Sequence, residues 1–143
     1  MVASNALLTV QSKERGTRLI SMRDFFLGYR KIDLKPDELI VRVKVPLPGS
    51  KCEIFRAYKQ AKRKDDDIAI TNGGFRVVLE EIDHRFFVKE LDLSLGGVAP
   101  TTLYLKKLAL QAKNLEWAKE SNLKRIQELI LDEVNFSYSV PGE

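Results

Sequence analysis

The densest chemistry in the chain lies in Tyr58-Lys-Gln-Ala-Lys-Arg-Lys-Asp-Asp-Asp-Ile-Ala-Ile70. There, four cations (Lys59, Lys62, Arg63 and Lys64) run directly into three carboxylates (Asp65, Asp66 and Asp67) before apolar residues resume. In open water such a block is an ordinary polar loop whose charges neutralise one another. Held over a site, it offers a ligand a positive side and a negative side within one loop. Three consecutive aspartates do not read as a metal site, because neighbouring side chains on an extended chain point apart. The other candidates carry less. Cys52 is the only cysteine and His84 the only histidine, which excludes an internal disulfide and argues against a zinc or iron-sulfur centre. His84 sits among charged residues with no nucleophile motif nearby, so no Ser-His-Asp site is expected. Gly73-Gly74 and Gly96-Gly97 match neither standard phosphate-cradling spacing. Tyr29 and Arg30 follow directly on Gly28 and read equally as a packed tyrosine beside a solvated arginine or as a ligand-facing pair.

The whole composition sets bounds on these candidates. A chain of 143 residues, 44% hydrophobic, suits one domain, or one domain with part of a neighbour. With 24 basic and 20 acidic residues the net charge is only +4. A nucleic-acid binder gathers its cations on one face among aromatic or glycine-rich elements. Here they are scattered, and acids follow the one dense cluster, so nucleic acid is not an expected partner. No apolar run reaches 18 residues, so no membrane helix is expected. Met1 to Val10 lacks the basic leader of a signal peptide. A cytoplasmic setting follows as the expectation.

The elements that must position the charged loop come next. Ala6 to Val10 and Arg18 to Met22 read as a hairpin around Gln11-Ser-Lys-Glu-Arg-Gly16, with Gly16 at an unusual backbone angle. A lone hairpin is marginal in water, so a partner upstream of Met1 is expected. Asp24 to Arg30 reads as a short helical turn stopped at Gly28, with Phe25 and Phe26 anchoring it to a core. Glu38 to Val45 alternates as a strand, placing Leu39, Val41, Val43 and Val45 on a core face and Ile40, Arg42 and Lys44 on the other. Ile40 is the odd apolar residue on that polar face, as a flat ligand would require of its backing. Pro46-Leu-Pro-Gly-Ser50 breaks the ladder and marks a boundary.

Ile54 to Gln60 resumes as a strand with Phe55, Ala57 and Lys59 on one face. Asp67 to Thr71 reads equally as the start of a helix or of a strand. Phe75 to Glu80 and Phe87 to Leu95 form a hairpin on either side of His84, the first opened by Asn72-Gly-Gly74. A helix capped by Thr101 or Thr102 is expected from Leu103 to Lys113. Another is expected from Ser121 to Val134, where Leu123, Ile126, Leu129, Ile130 and Val134 make a stripe. Trp117, between them, reads as core filler.

Four segments carry a family resemblance, and they come in the family's order and spacing. They are Phe25-Phe-Leu-Gly-Tyr-Arg-Lys31, Lys35-Pro-Asp-Glu-Leu39, Lys59-Gln-Ala-Lys-Arg-Lys-Asp-Asp-Asp-Ile-Ala69 and Leu95-Gly-Gly-Val-Ala-Pro-Thr101. Together they resemble the FAD domain of the xanthine dehydrogenase and aldehyde oxidase family, closer to xanthine dehydrogenase because of the dense charge reversal. The similarity runs from the start to about Trp117. The resemblance implies an α+β fold: an antiparallel sheet covered by C-terminal helices, like the C-terminal domain of the CO dehydrogenase flavoprotein, preceded by the end of an FAD-binding lobe. It places the lobe in residues 1–46 and the C-terminal-like domain in 52–143.

It also implies a site, with Ile40 and Lys59 contacting FAD, and Tyr29 and Asp65 near the place where NAD meets the flavin. The parent enzyme would be a homodimeric purine oxidase passing electrons through FAD to NAD. Its iron-sulfur clusters and molybdenum cofactor would lie in other domains, so no turnover is expected of this segment alone. A cofactor-free interaction module of the same fold is the alternative reading.

Overall fold

The computed structural model describes residues 1–49, 51–63 and 67–134. β1 (Leu7–Ser12) and β2 (Gly16–Ser21) pair antiparallel, with Leu8 opposite Ile20 and Ser12 opposite Gly16. The Ser12 hydroxyl accepts the amides of Glu14 and Arg15 at 3.2 and 3.3 Å, and Gly16 closes the turn at φ +73°. This is the left-handed angle expected of it. Alternation sends Leu8, Val10 and Ile20 inward, where they pack with Val2, Ala6, Met22 and Phe25 as the core of a first lobe.

The helical turn expected over Asp24 to Arg30 does not form. β3 (Phe26–Gly28) and β4 (Lys31–Ile32) instead make a small hairpin with Tyr29 and Arg30 at its tip. The segment is too short to nucleate a helix on its own. Phe25 alone turns into the core, while Phe26 stands edge-on to it at 5.1 Å and remains 40% exposed.

β5 (Leu39–Lys44) pairs with the free side of β1, giving the order β2-β1-β5, so the hairpin gains a partner from downstream. Its register slips between Thr9 and Val10: Thr9 faces Arg42, Val10 faces Ile40, and Val41 is the extra residue of a bulge. Directly opposed residues share a face, so Ile40 lies on the face of Val10 and Val43 on that of Leu8. The expected division of this strand is therefore corrected: the bulge moves Ile40 to the inner side and Leu39 to the outer. Nor is either set buried, since every residue of β5 is exposed at the sheet edge. Beneath the sheet, Arg18 donates to Glu38 at 2.8 Å and to Asp33 at 2.8 Å, tying down the connection into β5. The bonds from Arg18 and from the Lys35 amide hold the Glu38 carboxyl at about 2.

After the proline turn, β6 (Glu53–Gln60), β7 (Thr71–Ile82), β8 (Arg85–Gly96) and β9 (Leu103–Tyr104) form one antiparallel sheet in chain order. The β7–β8 turn places Asp83 and His84 at φ +50° and +60°, as a two-residue primed turn requires. The residues from Asp67 to Ile70 join neither a helix nor a strand, and Asn72-Gly-Gly74 lies inside β7 rather than ahead of it.

α1 (Lys106–Gln111) and α2 (Glu120–Glu133) cover one face, closing a second core around Val77, Val88, Leu91, Leu93, Leu105, Leu108 and Leu129. Trp117 packs against it. The first helix starts later than expected because Leu103 and Tyr104 pair with β8, and no Thr side chain caps it. Its first amides, of Lys107 and Leu108, donate instead to the Glu133 carboxylate at 3.0 Å each. This carboxylate suits the positive end of a helix.

Candidate functional site

The second sheet has a face turned away from the helices. Pairing and alternation place Phe55, Ala57 and Lys59 of β6, Asn72, Gly74 and Arg76 of β7, and Asp92 and Ser94 of β8 on it. This face meets the first lobe so closely that a Cβ on Gly74 would lie 3.3 Å from the Ala3 methyl. A Cβ on Gly73 would strike the Phe75 ring at 2.7 Å, and that ring stands edge-on to Tyr58 at 5.6 Å. The paired glycines thus serve packing and do not form a phosphate cradle.

Two cavities of about 320 Å³ each open along the seam. The first is an apolar cleft with Met22 and Phe26 on the side of the first lobe and Phe55, Ala57 and Gly74 on the other. The second is mixed: Arg23, Arg76, Glu90, Asp92 and Lys113 line it together with apolar residues such as Leu91 and Leu110. Between the lobes stands Asp92, buried, accepting from Arg23 at 2.9 Å, Arg76 at 2.8 Å and the Tyr104 hydroxyl at 2.5 Å. The Arg23 guanidinium also covers the Tyr104 ring at 4.0 Å. Burial and the Asp92 carboxylate push the Tyr104 hydroxyl up to about 12. Burial works against the charge of Arg76, yet Glu90, Glu53 and Asp92 around it hold its pKa above the ordinary value.

None of the expected site residues among the described residues lines the apolar cleft, and they do not join into one cluster. Lys59 follows Phe55 and Ala57 on the cleft face and is exposed; its ammonium donates to the Asp67 carbonyl at 2.9 Å, spanning the charged loop. Tyr29 sits 73% exposed at the tip of the hairpin whose base, Phe26, lines the cleft. Ile40 is 43% exposed on β5, on the inner face beyond Val10. Asp65 lies outside the described residues. No hydrogen bond or ion pair links Ile40, Lys59 and Tyr29 to one another among the described residues. Reading the sequence alone missed Phe26, Phe55 and Gly74 as cleft walls and Asp92 as the tie between lobes. The signal for the cleft was the glycine pair inside a strand, which marks close approach.

The cleft suits a flat aromatic ring: apolar walls from two sides, with a lysine along the same face. The described residues do not equally suit a pyrophosphate. The amides at the start of α1 are already taken by Glu133, and no glycine turn leads into either helix.

The family model of the CO dehydrogenase flavoprotein C-terminal domain matches residues 56–143, and that of the FAD binding domain in molybdopterin dehydrogenase matches residues 1–48. Xanthine dehydrogenase of Blastobotrys adeninivorans is 44% identical over 146 residues, which is 99% of this chain and 10% of that protein. Nicotinate hydroxylase of Emericella nidulans is 43% identical over 124 residues, covering 86% of this chain and 9% of that protein. In fold, the chain superposes with a TM-score of 0.80 on carbon monoxide dehydrogenase from Hydrogenophaga pseudoflava, at 19% identity and over 99% of this chain and 47% of that one. The chain thus spans about a tenth of the length of the curated relatives it matches.

Proposed function

The chain belongs to the CO dehydrogenase flavoprotein C-terminal domain family, in the branch of the xanthine dehydrogenases, and from that premise we propose that it forms part of the flavin site of a larger molybdo-flavoenzyme. The observation that carries this reading is the apolar cleft between the two lobes, beside the strand that presents Lys59. We read residues 1–46 as the end of an FAD-binding lobe and 52–143 as the C-terminal-like domain. FAD, when bound, would supply the redox chemistry, with NAD as the acceptor in the parent enzyme. The residues of this chain would bind and orient it: Phe26 and Phe55 would wall the ring, Ile40 would contact the cofactor from β5, outside the cleft, and Lys59 would offer it positive charge. We assign Tyr29 to the side from which the acceptor would approach; Asp65, which the resemblance puts there too, lies outside the described residues. The pyrophosphate is held outside this chain, as are the iron-sulfur clusters and the molybdenum cofactor of the parent enzyme. Relatives named for xanthine and for nicotinate match almost equally well, so we place the choice of substrate outside this segment.

Lys59 is exposed, which limits its electrostatic effect. A unit charge at about 4 Å contributes roughly 1 kcal/mol in bulk water and about 4 kcal/mol at an intermediate dielectric. The test is a chimera in which this chain replaces its counterpart in the Blastobotrys adeninivorans enzyme. It should retain FAD and reduce NAD, and Lys59→Ala should weaken flavin retention or lower the flavin potential. A chimera with its metal centres loaded but no flavin would refute the function. Identical spectra and kinetics for Lys59→Ala would refute the role of Lys59.

A further inference from the structure

The Asp92 bridge stands beside the apolar cleft. Arg23 follows Met22, which lines the cleft from the first lobe, and Asp92 lies two residues before Ser94, which lines it from the second sheet. The bridge spans 69 residues of sequence, joining Arg23 on one lobe to Asp92 of β8, which Arg76 of the neighbouring β7 holds within the sheet. Asp92 and Arg23 are both largely buried at this seam, with 9% and 24% of their side-chain surface exposed. Tyr104 completes the arrangement from β9, donating to Asp92 beneath the Arg23 guanidinium.

Two lobes with separate cores have no other reason to hold a fixed spacing at this point than the contacts that cross between them. The neighbouring contact of Ala3 with Gly74 only limits how close they come. The charged bridge, with the Tyr104 ring packed on the first core, limits how far they part.

We propose that Asp92 is a positioning residue: by drawing Arg23 of the first lobe to a carboxylate that Arg76 holds in place on the sheet, it fixes the separation of the Phe26 and Phe55 walls, and so sets how firmly a planar ring is gripped between them. The ring's identity as the flavin rests on the function proposed above; the tie itself does not. The first readout is therefore hydrogen exchange in this chain without any ligand. In Asp92→Asn, the amides of Ala6 and Met22, bonded to Met1 and Ala6 at the seam, and those of β7 beside the cleft should exchange about tenfold faster, as loss of a charge-assisted bond implies. Exchange in α2 should stay unchanged. Unchanged exchange at the seam, or equal acceleration everywhere, overturns the proposal.

Should Asp92→Asn fail to fold, Arg23→Gln removes the same tie from the first lobe and is judged by the same pattern, with Arg23→Lys expected to restore protection in part. In the chimera, Arg23→Gln should speed flavin loss about tenfold and Arg23→Lys should largely reverse this. Altered exchange with unaltered flavin retention would overturn the gripping role. A wild-type chimera that holds no flavin would sink the proposed function, and the exchange pattern would still decide the tie.

Discussion

Replacing Gly97 by alanine should destabilise the chain far more than replacing Gly16, although both glycines sit in the left-handed region. Gly97 has φ +82° and Gly16 φ +73°, so each alanine carries a backbone cost of about 1 kcal/mol. The surroundings differ. A Cβ at Gly16 meets nothing within 4 Å, whereas one at Gly97 would lie 2.2 Å from the Ile70 carbonyl oxygen. That is more than about 1 Å inside a comfortable contact, so the backbone at Ile70 must move. Ile70 donates to the Gln60 carbonyl at 2.8 Å, closing the charged loop at the start of β7.

Overpacking of this kind costs about 1–3 kcal/mol, and weakening that bond about 1 kcal/mol more. Gly97→Ala should therefore lose about 3–5 kcal/mol and Gly16→Ala about 1 kcal/mol. In thermal melts followed by circular dichroism, this becomes a fall of roughly 10 °C or more against a few degrees. Equal losses in the two variants would show that Gly97 does not lie against Ile70 and would refute the reasoning.

Two further outcomes follow from buried groups. Glu38 ionises at about 2 in the folded chain against an ordinary value of 4.5, so its contribution to stability is complete above about pH 4.5 and is lost as pH falls towards 2. Urea melts across this range should show a smaller pH dependence in Glu38→Gln; an unchanged slope would refute the pairing with Arg18. Leu108 is fully buried in the second core, and Leu108→Ala should cost about 2–5 kcal/mol by denaturant unfolding. A loss below about 1 kcal/mol would show that the core around it is loosely packed.

Much of the fold was legible where local signals suffice. The β1–β2 turn was marked by Gly16, the β7–β8 hairpin by alternation on either side of His84, and α2 by its stripe of Ile126, Leu129 and Ile130. The misreadings came from interactions between distant segments. A bulge opposite Thr9 and Val10 reverses the faces of β5 at Ile40, and alternation within a strand holds no trace of its partner's register. The cap of α1 comes from Glu133, 26 residues beyond Lys107, so the threonines nearby were misleading. Phe25 and Phe26 were apolar enough for either state, and pairing with β4 decided between them. Of the cleft only the glycine pair was legible, because its walls come from two lobes, Phe26 from one and Phe55 from the other.

β8 serves both lobes at once, with Leu91 and Leu93 buried in the helix-covered core and Asp92 and Ser94 buried towards the first lobe. Side chains alternate along a strand, and a bulge at Lys89 already takes up one extra residue ahead of Leu91, so inserting a further residue there would exchange the two sets. The carboxylate would enter the leucine core and a leucine would face Arg23. Point changes at any one of these positions damage one lobe, but a one-residue insertion damages both. This stretch should therefore vary among related chains by substitution and not by insertion.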